Sequence, residues 1–594
     1  MEQVREFPGL FFFMDLSSLT PSQEQAVKHR GSPLMVLAGP GTGKSRTLTF
    51  RIAHLIESGI AGPDQILAIT FTNKAAEEMR SRIEQLCRSI ESSSLPWIST
   101  FHGFCFRFLQ EHLSTPFQLL SENEALAFLK ETVREQFPDF PTQSLKDLAR
   151  HISWAKNALI PPDSSETLPY WDTYPKWPSC YQVFQKKLAD HQFWDFNELL
   201  IQTVTLMERN PDLKAVLQAR FPYVFIDEFQ DINFCQYRLF QLLTQKNGEW
   251  MVIGDPNQAI YGFRGASADF FSRLQQDCPS LTEIVLRETF RLNRTVLAAS
   301  SQVIRSSTRN LISNRKGEPS FPVVILSSAE EEGEYITRMI EEEMGGLSLS
   351  AKGPDSFFRQ NQPRSFADFA VLYRLHAQGV LLAKAFSKKG IPFKKIQEVH
   401  WVERPEIRAC LTLLKALPSL EVSPAEAVEE VVSQENPEVH PTTAEGTEAL
   451  KKLRLWAAMF KGRLGEFIEV LSIQTGLDTY EPDQETVKLL TLHAAKGLEF
   501  PIVIIAGCEA NLLPLSLLKE SDLEEERRLF YVGLTRAKEK IILTWAQKRT
   551  LFGQKLVQSP SPFLENIEAI LKNQINIAGA KQSKRSQKKQ MSLF

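Results

Sequence analysis

The sequence predicts an α/β protein made of two parallel-sheet lobes that carry helical insertions. Three observations lead there. Short apolar runs recur at 34–38, 66–70, 223–227 and 250–254, and again at 322–326, 369–373, 501–506 and 540–545. They alternate with helical stretches, as strands buried on both faces of a parallel sheet do. Leu34-Met35-Val36-Leu37 leads straight into Ala38-Gly39-Pro40-Gly41-Thr42-Gly43-Lys44-Ser45, and Tyr223-Val224-Phe225-Ile226 ends on the acids Asp227 and Glu228.

The glycine-rich turn is the strongest local signal. Glycines let the backbone curl so that several N–H groups face one anion, and the helix that follows offers its positive dipole end to the same charge. Lys44 reaches the outer phosphates of a nucleotide in such a P-loop, and the Ser45 hydroxyl coordinates Mg²⁺. Arg46 follows directly. The amphipathic run Leu48, Ile52, Leu55, Ile56, closed by Gly59, supplies the helix. Two acids emerging from a buried strand complete a phosphoryl-transfer site. Asp227 would hold the cation, and Glu228 would orient and deprotonate the attacking water.

Seven further stretches join these two. Leu19-Thr20-Pro21-Ser22-Gln23 precedes the P-loop; Ile69-Thr70-Phe71 and Ser99-Thr100-Phe101-His102-Gly103 follow it. Gly254-Asp255-Pro256-Asn257-Gln258-Ala259-Ile260-Tyr261-Gly262-Phe263-Arg264, Thr289-Phe290-Arg291, Thr491-Leu492-His493-Ala494-Ala495-Lys496-Gly497-Leu498-Glu499 and Glu526 to Arg536 come later, in that order. In sequence and order the set resembles the superfamily 1A DNA helicases of the UvrD/Rep/PcrA type, from about residue 16 to about residue 568. The resemblance implies two RecA-like lobes, ATP and Mg²⁺ as cofactors, and single-stranded and tailed duplex DNA as partners. It implies adenine reading by Gln23, stacking of Phe290 on adenine where relatives have tyrosine, and a ribose contact by Glu499. Gln258 would sense the γ-phosphate. Arg291 and Arg536 would supply the charge-stabilising guanidinium groups, which contribute about 10³–10⁵ in rate. Phe71, Tyr261, Phe263 and Phe552 would stack bases, with Phe263 standing where relatives have tryptophan. His102, Arg264 and His493 fall on DNA-contacting motifs.

The implied activity is ATP-driven translocation on single-stranded DNA with duplex unwinding, 3′-to-5′, in DNA repair or replication. Two alternatives remain at this level: a translocase that strips proteins while unwinding little, and an ATP-switched loader. By the same resemblance, residues 1–115 and 216–288 form lobe 1A, 116–215 a helical insertion 1B, and 289–417 with 487–568 lobe 2A. Trp154-Ala155-Lys156-Asn157 and Asp195-Phe196-Asn197-Glu198 are landmarks of that insertion. Residues 418–486 stand where the family has a much larger 2B domain. Within them, 421–448 holds eight Glu and no Lys or Arg, together with Pro424, Pro437 and Pro441, the composition of an acidic linker or small helical cap.

Composition sets further bounds. The chain has 594 residues, enough for several domains, and a net charge of −3, so a nucleic-acid groove must be a local patch. Seven scattered cysteines form no C-x-x-C pair, which disfavours structural zinc or an iron–sulfur cluster and suits a reducing cytoplasm. No run approaches the ~20 apolar residues of a membrane span. Residues 7–14 are apolar but too short for a leader, and Met14 is an alternative start. Residues 569–594 read as a disordered basic tail. It ends Gln590-Met591-Ser592-Leu593-Phe594, a pentapeptide that resembles the bacterial sliding-clamp-binding motif.

Overall fold

The computed structural model describes residues 15–87, 95–113, 117–167, 175–305, 311–345, 364–395, 402, 404–417, 422–433, 439–441, 443–460, 464–472, 485–516, 522–551 and 553–578. Two parallel sheets organise it. The first has six strands in the order Trp97–Thr100, Ile66–Thr70, Tyr223–Ile226, Met251–Gly254, Leu34–Ala38, Thr282–Leu286. The second has seven: Phe393–Lys395, Val487–Thr491, Phe369–Tyr373, Phe500–Ile505, Ala537–Ala546, Phe321–Leu326, Lys572–Asn576.

The continuous apolar runs follow from burial on both faces. Met35, Leu37, Leu67, Ile69, Val224 and Ile226 enter one cluster, while Leu34, Val36, Ile66, Ala68 and Phe225 enter another across the sheet. The second sheet divides in the same way, with Ala370, Leu372, Leu490 and Val503 on one side and Phe369, Val371, Leu489 and Ile504 on the other.

Side-chain caps place the helices that leave these strands. Thr72 accepts from the N–H of Ala75 ahead of Asn73–Leu86, and Thr100 from Gly103 ahead of Phe101–His112. The α/β expectation therefore holds, but the sequence missed several strands, among them Trp97–Thr100, Thr282–Leu286 and Val487–Thr491. Between 116 and 215 the structure is mainly helical, as expected, with one addition. Gln118–Leu119 pairs with Phe193–Trp194. The helix Phe196–Arg209 sends Leu199, Val204 and Met207 into the core of the first lobe.

Two regions sharpen or correct what the sequence suggested. Residues 424–472 contain the helices Pro424–Ser433, Ala444–Met459 and Leu464–Ser472, which share a core with Pro405–Lys415 through Ile407, Leu414, Val428, Val431, Leu453 and Phe467. The helical-cap alternative fits these residues and the linker alternative does not. Glu426, Glu429 and Glu430 are exposed while Ala427, Val428 and Val431 are buried, so the acids form one face of an amphipathic helix. The tail also orders later than expected. Lys572–Asn576 pairs with Phe321–Leu326 as an edge strand, which corrects the disordered reading for those residues. Gln590, Met591, Ser592, Leu593 and Phe594 lie outside the described residues.

Candidate functional site

Parallel strands bring their carboxyl ends to one edge, and the motif residues collect there. Leu34–Ala38 runs through the glycine-rich turn into the helix Lys44–Glu57, whose N-cap is Gly43 with no side-chain cap, so its first N–H groups face an anion site. Gly41 and Gly43 have φ of +72° and +84°. A Cβ at Gly41 would lie 2.3 Å from the Cβ of Arg291, which leaves no room for any other residue. Gln23 ties the preceding helix to the loop, since its Nε2 donates to the Thr42 carbonyl at 2.9 Å and its Oε1 accepts from the Thr20 N–H at 3.0 Å. Arg46 donates to Ser18 Oγ at 2.6 Å and lies over Phe50.

Asp227 and Glu228 emerge from Tyr223–Ile226 beside the loop. Glu228 has φ +49°, a left-handed conformation costly for a non-glycine residue, which the surrounding contacts enforce. Lys44 Nζ lies 3.8 Å from Glu228 Oε2, and Gln230 Nε2 donates to the same carboxylate. Burial and then the Glu228 charge push the Asp227 carboxyl up to about 7. Burial works on Glu228 in the same sense, but Lys44 and Lys496 outweigh it and hold Glu228 below the usual range. Asp227 accepts the Glu228 N–H at 2.9 Å and a long contact from Thr70 at 3.5 Å, and the Lys44 charge only partly offsets burial and Glu228. A buried carboxylate at the end of a strand in the P-loop strand's sheet, with Ser45 in the first turn of the P-loop helix, fits a divalent cation.

The second lobe closes on the loop directly. In the strand Glu288–Asn293, the Phe290 N–H donates to the Gly41 carbonyl at 2.9 Å and Thr289 Oγ1 to the Pro40 carbonyl at 2.8 Å. The Phe290 ring is 56% exposed, leaving it open to a planar base. Arg291 Nη2 pairs with Glu499 at 2.5 Å while its Nε is buried without a hydrogen-bond partner. Glu499 also holds Lys538 at 2.7 Å. Arg536, 1% exposed, donates to the carbonyls of Val532 and Leu498 and, at 3.2 Å, to Gln258 Oε1. Burial, then the nearby Arg291 charge, pulls its guanidinium down to about 9. Gln258 in turn donates to Asp255 Oδ2 at 2.9 Å. The structure thus brings Lys44, Asp227, Glu228, Gln258, Arg291 and Arg536 to one interlobe cleft.

Aromatic side chains line the neighbouring groove. Phe71 and Tyr261 stack on each other, with centroids 5.1 Å apart and planes at 16°. Lys496 Nζ lies 4.9 Å from the Tyr261 centroid. Tyr261 is thus 5% exposed and packed against Phe71, with Lys496 and Arg264 near its ring, and a base would reach it beside those side chains. Phe263, 50% exposed, presents its ring between Tyr261 and His493 with Arg264 5.7 Å away. Burial holds His102 down to about 4 and His493 to about 3, so both are neutral. Phe552 lies outside the described residues, but its hairpin, Lys548–Leu551 with Gln554–Val557, is anchored by Arg549. That side chain is buried between Glu332 at 2.6 Å and Glu509 at 2.5 Å.

Sequence reasoning missed several residues. Lys496 crosses the lobes to Asp231 Oδ1 at 2.5 Å and the Gln258 carbonyl at 2.5 Å. Its only signal was its place inside the quoted 491–499 stretch. Glu525 accepts the Gly262 N–H at 3.2 Å, and Arg528 donates to the Ala259 carbonyl at 2.8 Å, so the helix Leu523–Leu534 holds the 254–264 segment. Among the described residues no helix is long and apolar enough to cross a membrane, and no group of three or more His, Cys, Asp or Glu could hold a metal ion.

With this geometry described, comparison with known proteins adds a second line. The model of the UvrD/REP helicase N-terminal domain matches residues 19–279, and that of the UvrD-like helicase C-terminal domain matches 284–455 and 426–548. The chain is similar to the ATP-dependent DNA helicase PcrA of Bacillus subtilis (strain 168), 29% identical over 658 residues that cover 94% of this chain and 87% of the relative. It is 28% identical to PcrA of Staphylococcus aureus, with the same coverage. With PcrA of Staphylococcus epidermidis it shares 28% identity, covering 93% of this chain and 86% of the relative.

Proposed function

Because the chain belongs to the UvrD/REP helicase family, we propose that it is an ATP-dependent DNA helicase. It hydrolyses ATP in the interlobe cleft, steps along single-stranded DNA and unwinds duplexes with 3′-to-5′ polarity, in the bacterial cytoplasm, in repair or replication. One observation carries the reading. The single segment 254–264 reaches Arg536 and the acid segment through Gln258 and Asp255, and bears the half-exposed ring of Phe263 as its tenth residue. A change at one end of so short a segment moves the other.

In the proposed reaction Glu228 takes the proton of the attacking water while Lys44, Arg291 and Arg536 neutralise charge developing on the γ-phosphate. Ser45 and Asp227 would hold Mg²⁺, which supplies Lewis-acid charge on the phosphate oxygens when bound. Arg291 must exchange its Glu499 partner for a phosphate, which ties lobe closure to the nucleotide. ATP hydrolysis measured with and without single-stranded DNA, followed by unwinding of 3′- and 5′-tailed duplexes, tests the reading. Absence of DNA stimulation rejects it, and unwinding from a 5′ tail alone rejects the polarity.

The small helical unit at 405–472 favours a variant in which translocation strips proteins and unwinds little. Strand displacement and translocation assays on one preparation separate the two, and steady DNA-stimulated turnover argues against a loader. The terminal Gln590-Met591-Ser592-Leu593-Phe594 is proposed to bind the sliding clamp, with Leu593 and Phe594 as apolar anchors. A peptide of residues 580–594 should bind the clamp saturably at tens of micromolar, about −6 kcal/mol. No saturation in that range rejects it.

A further inference from the structure

Asn157 ends the helix Leu145–Asn157 and joins two segments remote in sequence. Its Nδ2 donates to the Arg264 carbonyl at 3.2 Å and its Oδ1 accepts from Asn233 Nδ2 at 3.0 Å. Asn233 caps the helix Phe234–Leu243, accepting the Gln236 N–H on Oδ1 at 2.9 Å. That contact orients both amides. A backbone N–H must meet an oxygen, so Asn233 turns its NH₂ toward Asn157. Asn157 must then present its oxygen, which leaves its own NH₂ for the Arg264 carbonyl. The result is a directed hydrogen-bonded chain between two backbone groups, with both asparagines 7% exposed.

Its two ends differ in role. Asn233 belongs to the short segment that contains Glu228 and Asp231. Arg264 closes the turn Gly262–Arg264 that presents Phe263. Gly265 follows with φ +83°, and a Cβ there would lie 3.5 Å from Asn157 Cβ and 3.7 Å from Asn233 Cβ, so the turn is seated on the bridge. The bridge itself is fixed from behind. Lys156, next to Asn157, is fully buried between Asp195 Oδ2 at 2.7 Å and Glu198 Oε2 at 3.2 Å.

We propose that Asn157 is a positioning residue through which the helical insertion couples the Phe263 turn to the acid segment, so that single-strand binding accelerates ATP hydrolysis. This rests on the helicase reading above, and the test separates the two. A wild-type enzyme that DNA does not stimulate rejects the helicase reading itself. Given a stimulated wild type, full-length Asn157→Ala should stay folded, with a modestly lowered melting temperature, and keep its DNA-free ATPase at assay temperature while kcat at saturating single-stranded DNA falls about fivefold or more. Asn157→Asp has nearly the same shape and still accepts from Asn233, but it sets an oxygen against the Arg264 carbonyl. It should lose as much stimulation, and it carries the test if the alanine variant does not fold. In the double variant with Phe263→Ala, kcat at saturating DNA should fall no further than in the more impaired of the two single variants. Full stimulation in folded Asn157→Ala or Asn157→Asp, a parallel loss of DNA-free and stimulated rates, or losses that multiply with Phe263→Ala would each overturn the proposal.

Discussion

In the nucleotide cleft Arg536 is almost completely enclosed and shared among Gln258, Val532 and Leu498, whereas a few residues away Phe263 holds half its surface in solvent. The cleft is organised by charge, with Asp227, Asp231 and Arg536 buried and Glu499 at its exposed rim. Lys44 pairs with Glu228 within the first lobe, Arg291 with Glu499 within the second, and Lys496 crosses from the second lobe to Asp231 in the first. The groove is organised by ring faces, with two histidines kept neutral. Charged partners in a dry cleft must be exchanged as a set, so its substitutions should act on the chemical step and be severe. Stacking is sequence-tolerant and graded, so substitutions in the groove should act on affinity and be moderate.

The largest effect that would test this contrast is at Arg291. Arg291→Ala should lower kcat for ATP by about 10³ or more, because a charge-stabilising guanidinium on the opposing lobe is lost. A loss below tenfold would show that the Glu499 pair is structural and that the guanidinium stays with it during turnover. Glu228→Gln comes next, with an expected loss of about 10²–10⁴ in turnover and ATP binding retained, since the substitution removes only the proton acceptor. Turnover above a tenth of wild type would sink that role.

The two regions also differ in how much of them the sequence disclosed. The glycine-rich turn and the Asp227–Glu228 pair were legible because each lies within a few consecutive residues whose conformation is locally determined. The approach of Gly41 to Arg291 and the crossing of Lys496 to Asp231 span more than two hundred residues, and no local pattern encodes them. The rings were legible as a set but not in their arrangement, since residue type alone does not show that Tyr261 stacks on Phe71 beneath Lys496. Counting glutamates concealed the amphipathic spacing of Pro424–Ser433. The edge strand Lys572–Asn576 escaped because it pairs on one side only and can remain polar.

At Phe263 the contrast predicts a graded result. Phe263→Ala should weaken single-strand binding by about 1–3 kcal/mol, roughly 5- to 150-fold. In a titration of ATPase against DNA this shifts the half-stimulating concentration. A variant with wild-type affinity would mean that the exposed ring does not meet a base.

The smallest expected effect distinguishes charge from shape in the groove. His102 and His493 are pushed down to about 4 and about 3, chiefly by burial, with Arg264 beside His102 and Arg374 and Lys496 beside His493. At pH 6 the charged fraction of each is about 1% or less. Neither can add a positive charge for phosphate between pH 8 and pH 6, so single-strand affinity at fixed ionic strength should stay flat across that window. A histidine with the unperturbed value of about 6.5 would instead gain most of its charge there and tighten binding. Folding stability should respond lower down. A depressed folded value means the unfolded chain binds more protons, so the contribution is complete above about pH 6.5 and is lost as pH falls from there toward 4 and 3. The melting temperature should therefore drop between pH 7 and pH 5, and His102→Asn should make that drop smaller. Affinity that rises steadily from pH 8 to pH 6 and loses this dependence in His102→Asn or His493→Asn would show the groove to be charge-built as the cleft is.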